Sequence, residues 1–315
     1  MIGKFPIRLS KIGLNRTAIV LQKFFFGIDP KPERQRILQF LINKSKLRSN
    51  IWKGVQNYPV FVINRDCDQD RLFRFEHSCK VQALSFERVR SVDNEVNAGL
   101  LKMYDERISH LCYNSNRFSK GIFSAFLSHR KAWTRVFESD TDWGMVCEDD
   151  AVFLGGIPKH IEDYGIPMEC EIVFCNQRMA DGLMGIKLSE NRKAPFSFFP
   201  AGQALEMLLG IHQPITGPGG DCYLLSKQGA GKLLEIFDCM QMAFDVDWFL
   251  LFHSISDASM ESFLGIDGTG RFDGYVPNRK RLDGYVMVPS LVEQAGGESK
   301  VRRAEFCSRD ELFLK

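Results

Sequence analysis

The sequence predicts an α/β protein, and three stretches carry that prediction. Val60-Phe61-Val62-Ile63 is a compact apolar strand, broken by Asn64-Arg65-Asp66 ahead of a charged helix from about Gln69 to Cys79. Trp143 to Cys147 is an apolar run of buried-strand length that ends abruptly in Glu148, Asp149 and Asp150. Cys222 to Leu225 is a third strand, followed by Ser226 as N-cap of a helix reaching about Asp238. Strands of this length followed by helices are the units of an α/β sheet.

Size and charge set the frame. A chain of 315 residues with 44% hydrophobic content has room for one large core plus an appendage, here residues 1–57 ahead of a main domain at 58–315. The first 57 residues carry twelve Lys and Arg against Asp29 and Glu33, whereas the remainder carries 29 basic and 37 acidic residues. Two basic helices are expected there, around Arg16–Phe26 and Glu33–Trp52. The second is amphipathic, suited either to an anionic membrane surface or to packing on the main domain. The basic bias ends with this segment and no nucleic-acid motif accompanies it, so no nucleic-acid partner is expected. Nine cysteines without a CxxC pair or zinc-like spacing read as free thiols of a reducing compartment. No secretory signal or membrane-length apolar run is evident, which predicts a cytoplasmic protein, peripheral at most on the inner face of a membrane.

Along the main domain, a second strand is expected over Ala83–Val89, then a polar helix and loop over 91–118. From Lys120 to Glu138 the residues Phe123, Phe126, Leu127, Trp133, Val136 and Phe137 recur on one helical face, with Ser128-His129 in the middle. Adjacent helical positions point apart, so Ser128 and His129 are not a nucleophile and its base, and a satisfied helix histidine is the plain alternative. Glu171 to Cys175 is a further strand, ending at Asn176-Gln177-Arg178, and turns with a hairpin are expected on to Gln213. Gly217, Gly219 and Gly220 form a tight turn before the Cys222 strand, Asp245-Val246-Asp247-Trp248 opens an apolar helix, and Tyr285–Val288 is a late strand before Pro289 to Gln294.

Glu148, Asp149 and Asp150 cannot sit charged and unpaired in an apolar interior, so they must mark a strand end near water or a cation. In an open α/β sheet the carboxyl ends of strands are where ligands bind. On an extended backbone Glu148 and Asp150 share a side, an i, i+2 pair suited to one divalent ion. The alternative is a solvated acidic turn that caps the next helix. Arg65 and Arg71 stand near the first strand end, facing a phosphate or water. No GxGxxG or GxxxxGKS occurs, which removes the usual dinucleotide and P-loop fingerprints.

Four stretches in this order, VFVINRDCDQDR, FLSHRKAW, VCEDDAVF and PGGDCYLLSKQGAGKLL, resemble glycosyltransferase family 25, which includes bacterial lipooligosaccharide and procollagen galactosyltransferases. Asp247 in VDWFL and the segment PSLVEQ resemble later parts of the family pattern, and the likeness spans roughly 59–300. The chain departs from it at Ala125, where a Cys is usual, and at Gly219-Gly220-Asp221-Cys222-Tyr223, where the turn commonly reads Gly-Thr-x-Gly-Tyr.

The resemblance implies a GT-A fold, a Rossmann-like mixed sheet flanked by helices, with inversion at the sugar carbon. It also implies a UDP-sugar donor, UDP-galactose foremost, and a saccharide or glycolipid acceptor as in lipopolysaccharide synthesis. A departing nucleoside diphosphate gathers negative charge, which calls for Mn²⁺ or Mg²⁺ held by Glu148 and Asp150. Asn64, Arg71, Glu148, Asp149, Gly219, Gly220 and Tyr223 are then donor-binding candidates, the last three as a pocket floor. Asp247 is the expected base, with Asp245 and Asp221 as alternatives, and each suits a helix-start acid equally. His129 joins Asp247 as a catalytic candidate that orients substrate or its neighbours, and Gln294 contacts substrate or closes a loop. Two competing classes are a GT-A scaffold without turnover and a metal-dependent phosphotransferase or nuclease. The second would need carboxylates for another metal or a phosphate-cradling loop.

Overall fold

A computed structural model describes residues 52–55, 57–92, 120–154, 161, 165–183, 196–210, 219–240, 245–260 and 281–295. The helix expected around Arg16–Phe26 lies outside the described residues, as does the one around Glu33–Trp52 apart from Trp52, which opens β1, and the polar helix and loop expected over 91–118 apart from residues 91 and 92. In chain order the elements are β1 (Trp52–Lys53), β2 (Val60–Asn64), α1 (Gln69–Val81), β3 (Phe86–Arg90) and α2 (Lys120–Glu138). Next come β4 (Trp143–Glu148), β5 (Ala151–Phe153), β6 (Ile166–Pro167), β7 (Ile172–Phe174), α3 (Gln177–Leu183), β8 (Ser197–Pro200) and α4 (Ala201–Gly210). The last are β9 (Cys222–Ser226), α5 (Lys227–Met240), α6 (Val246–Phe252), β10 (Gly284–Val288) and β11 (Val292–Gln294). No helix of the described residues is long and apolar enough to cross a membrane.

Seven strands form one mixed sheet in the order β3-β2-β4-β9-β7-β10-β8. β2 runs parallel to β3 and β4, β7 runs parallel to β10, and β9 is antiparallel to both β4 and β7. This is the mixed, helix-flanked sheet that was expected. Its inner strands are apolar at nearly every position because both faces are covered. Phe61, Ile63, Val146, Phe174, Tyr223 and Leu225 face α2, α3, α5 and α6, while Val60, Val62, Met145, Cys147, Cys175, Cys222 and Leu224 face Phe75 and Cys79 of α1. Alternation along the inner strands thus sorts their apolar residues between two cores.

Local chemistry sets the boundaries. Ser226 caps α5 by accepting a hydrogen bond from Gly229 N at 2.9 Å. Asp245 caps α6, accepting from Asp247 N at 3.2 Å. The turns and hairpin expected between residues 178 and 213 are instead α3, β8 and α4 among the described residues. Gly182 inside α3 and the nearly all-apolar sequence of α4, which is enclosed, hide both helices from a search for amphipathic periodicity. Seven of the cysteines are described, and all seven are free thiols.

Candidate active site

The parallel strands β2, β4 and β7 finish at one end of the sheet, where β9 begins, and the polar residues that close each strand gather there. Beyond the last registered pair of β4 and β9, Cys147 with Cys222, the next residues are Glu148 and Asp221, joined by Glu148 N to Asp221 O at 2.9 Å. By alternation both side chains lie on the α2 face of the sheet. Asn64, at the end of β2, lies on the α1 face.

The chain does not stay extended through the three acids. β4 ends at Glu148, Asp149 and Asp150 form a turn, and β5 follows. The expected same-side pair of Glu148 and Asp150 is therefore not set by strand geometry. Instead Arg71, from α1, joins Asp149 Oδ1 at 2.9 Å to Asp150 Oδ2 at 2.6 Å, and Asn64 Nδ2 donates to Asp149 Oδ2 at 2.8 Å. Burial raises the Asp149 carboxyl above its usual range, with Arg71 and Asn64 opposing the shift.

On the α2 face a second arginine does the same. Arg178 Nη1 lies 3.0 Å from Asp247 Oδ2, and Nη2 lies 3.3 Å from Asp221 Oδ1. Gln294 links the two groups: its amide nitrogen donates to Asp150 Oδ2 at 3.1 Å, and its oxygen accepts from Arg178 Nη2 at 3.4 Å. Burial works against the charge of Arg178, but Asp247, Asp221, Glu148 and Asp245 more than offset it and hold the guanidinium protonated. The carboxyl of Asp247 is pushed well above the ordinary range by burial and then by Asp245, with Arg178 pulling the other way. Glu148 is likewise raised, by loss of water and by Asp150, Asp221 and Asp149. Its side chain keeps 34% of its surface open, so the crowding of protein atoms and acids around it, and not full enclosure, is responsible.

His129 and Tyr223 are placed differently from a substrate-facing pair. Both are buried. Trp133 Nε1 donates to Tyr223 Oη at 2.7 Å, and Tyr223 Oη is 2.9 Å from His129 Nδ1. An indole N–H can only donate, so Tyr223 accepts it and gives its own proton to Nδ1. Burial pulls the His129 pKa down to about 4 despite Asp221 and Asp245, so the ring is neutral. Its proton then sits on Nε2, facing Glu148 Oε1 at 3.3 Å. Tyr223 is thus not at a pocket floor, because it is fully enclosed beneath His129, and His129 faces Glu148.

The glycine turn lies against the acids. Gly219 takes φ +81°, and a Cβ there would meet the Asn176 side chain at 2.9 Å. A Cβ on Gly220 would stand 2.9 Å from Asp247 Oδ1 and 3.3 Å from Glu148 Oε1, so the two acid oxygens lie close to this bare backbone. Of the three candidate bases, Asp245 serves as the α6 cap. Asp221 is buried at 1% exposure, which leaves Asp247 as the more open of the other two.

The donor set suits a hard cation. Asp150 Oδ1 and Asp221 Oδ2 are buried with no hydrogen-bond partner among the described residues, and carboxylate oxygens of this kind are the ligands Mg²⁺ and Mn²⁺ take. No three metal-ligating side chains converge among the described residues. An ion here would take one or two carboxylates from the chain and the rest of its shell from substrate and water.

The family model described as glycosyltransferase family 25, LPS biosynthesis protein, matches residues 57–249 and so takes in both arginines, the acidic turn and Asp247. The chain belongs to glycosyltransferase family 25. As a member it is a transferase that takes a sugar donor and a saccharide acceptor. No curated protein matches it. Among solved structures it is similar to the apo crystal structure of mouse xyloside xylosyltransferase 1, at 11% identity over 68% of this chain and 83% of that one. The TM-score of 0.27 is too low for that likeness to carry any argument.

Arg178 and Asn176 are the residues of this family 25 site that the sequence did not single out. Asn176 Nδ2 donates to Gly219 O at 2.8 Å and its Oδ1 accepts from Arg178 N at 3.1 Å, so it ties α3 to the glycine turn. A signal that could have found Asn176 is a polar Asn at the end of a buried strand, the position Asn64 also holds.

Proposed function

We propose that this family 25 protein is an inverting GT-A glycosyltransferase that transfers a hexose, galactose from UDP-galactose foremost, to a saccharide or glycolipid acceptor of the lipopolysaccharide type. The observation that carries the reading is the pairing at the sheet end of unsatisfied carboxylate oxygens with an acid, Asp247, whose affinity for a proton is raised. Asp150, with Glu148, would hold a divalent ion, Mn²⁺ or Mg²⁺, which supplies charge neutralisation to the departing diphosphate. Arg71 and Asn64 fix Asp149 and Asp150 so that Asp150 Oδ1 stays bare. Asp247 accepts the proton of the attacking hydroxyl, for which a raised pKa is an advantage, since a base works best when its pKa approaches the operating pH. His129, held by Tyr223, aims an N–H at Glu148 and keeps its carboxylate oriented. Main-domain boundaries at 58–315, a cytoplasmic location and a membrane contact through residues 1–57 belong to the same proposal.

Binding of UDP to the purified protein by calorimetry, with Mn²⁺ and with chelator, tests it against its rivals. Metal-dependent UDP binding that Asp150→Ala weakens more than tenfold supports the transferase. Equal binding with and without metal favours a scaffold, and no preference for UDP over other nucleotides favours a nuclease.

A further inference from the structure

Asp247 stands on the short helix α6, whose first turn would let its carboxylate swing. Arg178 and the glycine turn hold it. Asp247 Oδ2 is tied to Arg178 Nη1 at 3.0 Å, while Oδ1 lies close to the bare backbone of Gly220. The same guanidinium reaches Asp221 Oδ1 at 3.3 Å and Gln294 Oε1 at 3.4 Å, so both of its terminal nitrogens face protein oxygens at the site. Its backbone is fixed too, through Asn176 Oδ1, which also anchors the glycine turn.

From this geometry we infer that Arg178 is the positioning residue that presents Asp247 to the attacking hydroxyl, and not a ligand of the donor diphosphate. The inference rests on the reading of Asp247 as the base. A planar guanidinium with forked donors can hold one acid by Nη1 and two other groups by Nη2, which a lysine ammonium cannot reproduce. One oxygen of Asp247 is thereby immobilised and the other is left for the proton. When water is the acceptor, its oxygen attacks the sugar carbon and its proton passes to Asp247. The carbon–oxygen bond to UDP breaks and UDP leaves with the electron pair.

Hydrolysis of UDP-galactose with Mn²⁺ by the full chain is the probe, compared for wild type, Arg178→Gln, Arg178→Lys, Asp247→Asn and the Arg178→Gln, Asp247→Asn double variant. Misplacing a reacting group costs on the order of 10²-fold. Arg178→Gln is expected to lose about that much in kcat with the KM for UDP-galactose within about twofold, and Arg178→Lys to fall between it and wild type. In the Asp247→Asn background Arg178→Gln is expected to add nothing, because residues that act as a unit are not additive. Thermal melts of Arg178→Lys, which keeps the charge, separate a positioning loss from unfolding. A rise of tenfold or more in KM at unchanged kcat, wild-type kcat in both Arg178 variants, or full additivity in the double variant overturns the inference and leaves the base assignment intact. Wild-type protein that releases no UDP, or an Asp247→Asn variant as active as wild type, overturns the reading beneath it.

Discussion

The two faces of the sheet solve one electrostatic problem in two ways. On the α1 face Arg71 gathers Asp149 and Asp150, neighbours in sequence on a single turn. On the α2 face Arg178 gathers Asp221 and Asp247, 26 residues apart and carried by β9 and α6. The first cluster comes from one stretch of chain and one helix. The second exists only because α3, the start of β9 and α6 meet, and it contains the acid with the more strongly raised proton affinity. Labour is divided accordingly: the local cluster is suited to holding charge in a fixed place, and the assembled one to moving a proton. Gln294, from outside the main sheet, is the hydrogen-bonded link between them.

The largest effect should come from removing the proposed proton acceptor. Asp247→Asn is expected to lower kcat by about 10³-fold, a typical share for a positioned base, in UDP-sugar turnover assays. The same change should raise Tm at pH 8. The folded-state pKa of Asp247 lies above its unfolded value, so the folded state is penalised as pH rises from the ordinary carboxylate range through the raised value. That gain in Tm should close as pH falls back into the carboxylate range.

Gly220→Ala sharpens the comparison without changing charge. Its methyl would stand 2.9 Å from Asp247 Oδ1, so kcat in UDP-sugar turnover assays should fall on the order of 10²-fold. Gln294→Leu breaks the link alone. Two hydrogen bonds of about 1 kcal/mol each are at stake, and a loss of roughly five- to tenfold in kcat/KM is expected.

The smallest catalytic effect belongs to the buried chain beneath Glu148. Tyr223→Phe leaves Trp133 Nε1 and His129 Nδ1 without their partner, which should cost about 1–3 kcal/mol of stability and only a few-fold in activity. His129 also gives a pH signature. Its folded pKa of about 4 lies below the ordinary histidine value of 6.5, so its contribution is intact above 6.5 and is lost as pH falls from 6.5 to 4. The decline in wild-type Tm over that window should flatten in His129→Gln, read by thermal melts across pH.

Much of this was legible in the sequence where a signal is local. β2, α2, β4, β9 and the Ser226 cap each show as a run or a spacing within a few residues, and the acidic turn announces itself by carboxylates between apolar neighbours. α3 was not legible because it is only two turns long and holds Gly182, and α4 because a helix enclosed on most sides has no polar stripe to give it a period. Arg178 was hidden for another reason. Nothing adjacent to it in sequence explains it, and its partners at 221, 247 and 294 become neighbours only through the sheet order. Tyr223 was misplaced because the glycine turn beside it lies against the acids while strand alternation turns the tyrosine inward.

The proton-accepting role of Asp247 is tested most directly by release of UDP from a panel of UDP-sugars by the purified chain, with Mn²⁺ and with chelator, for wild type and Asp247→Asn. Metal-dependent release from one sugar by the wild type is expected, with a loss of about 10³-fold in the variant. Equal rates in the two proteins, or release from no sugar under any condition, would contradict that role.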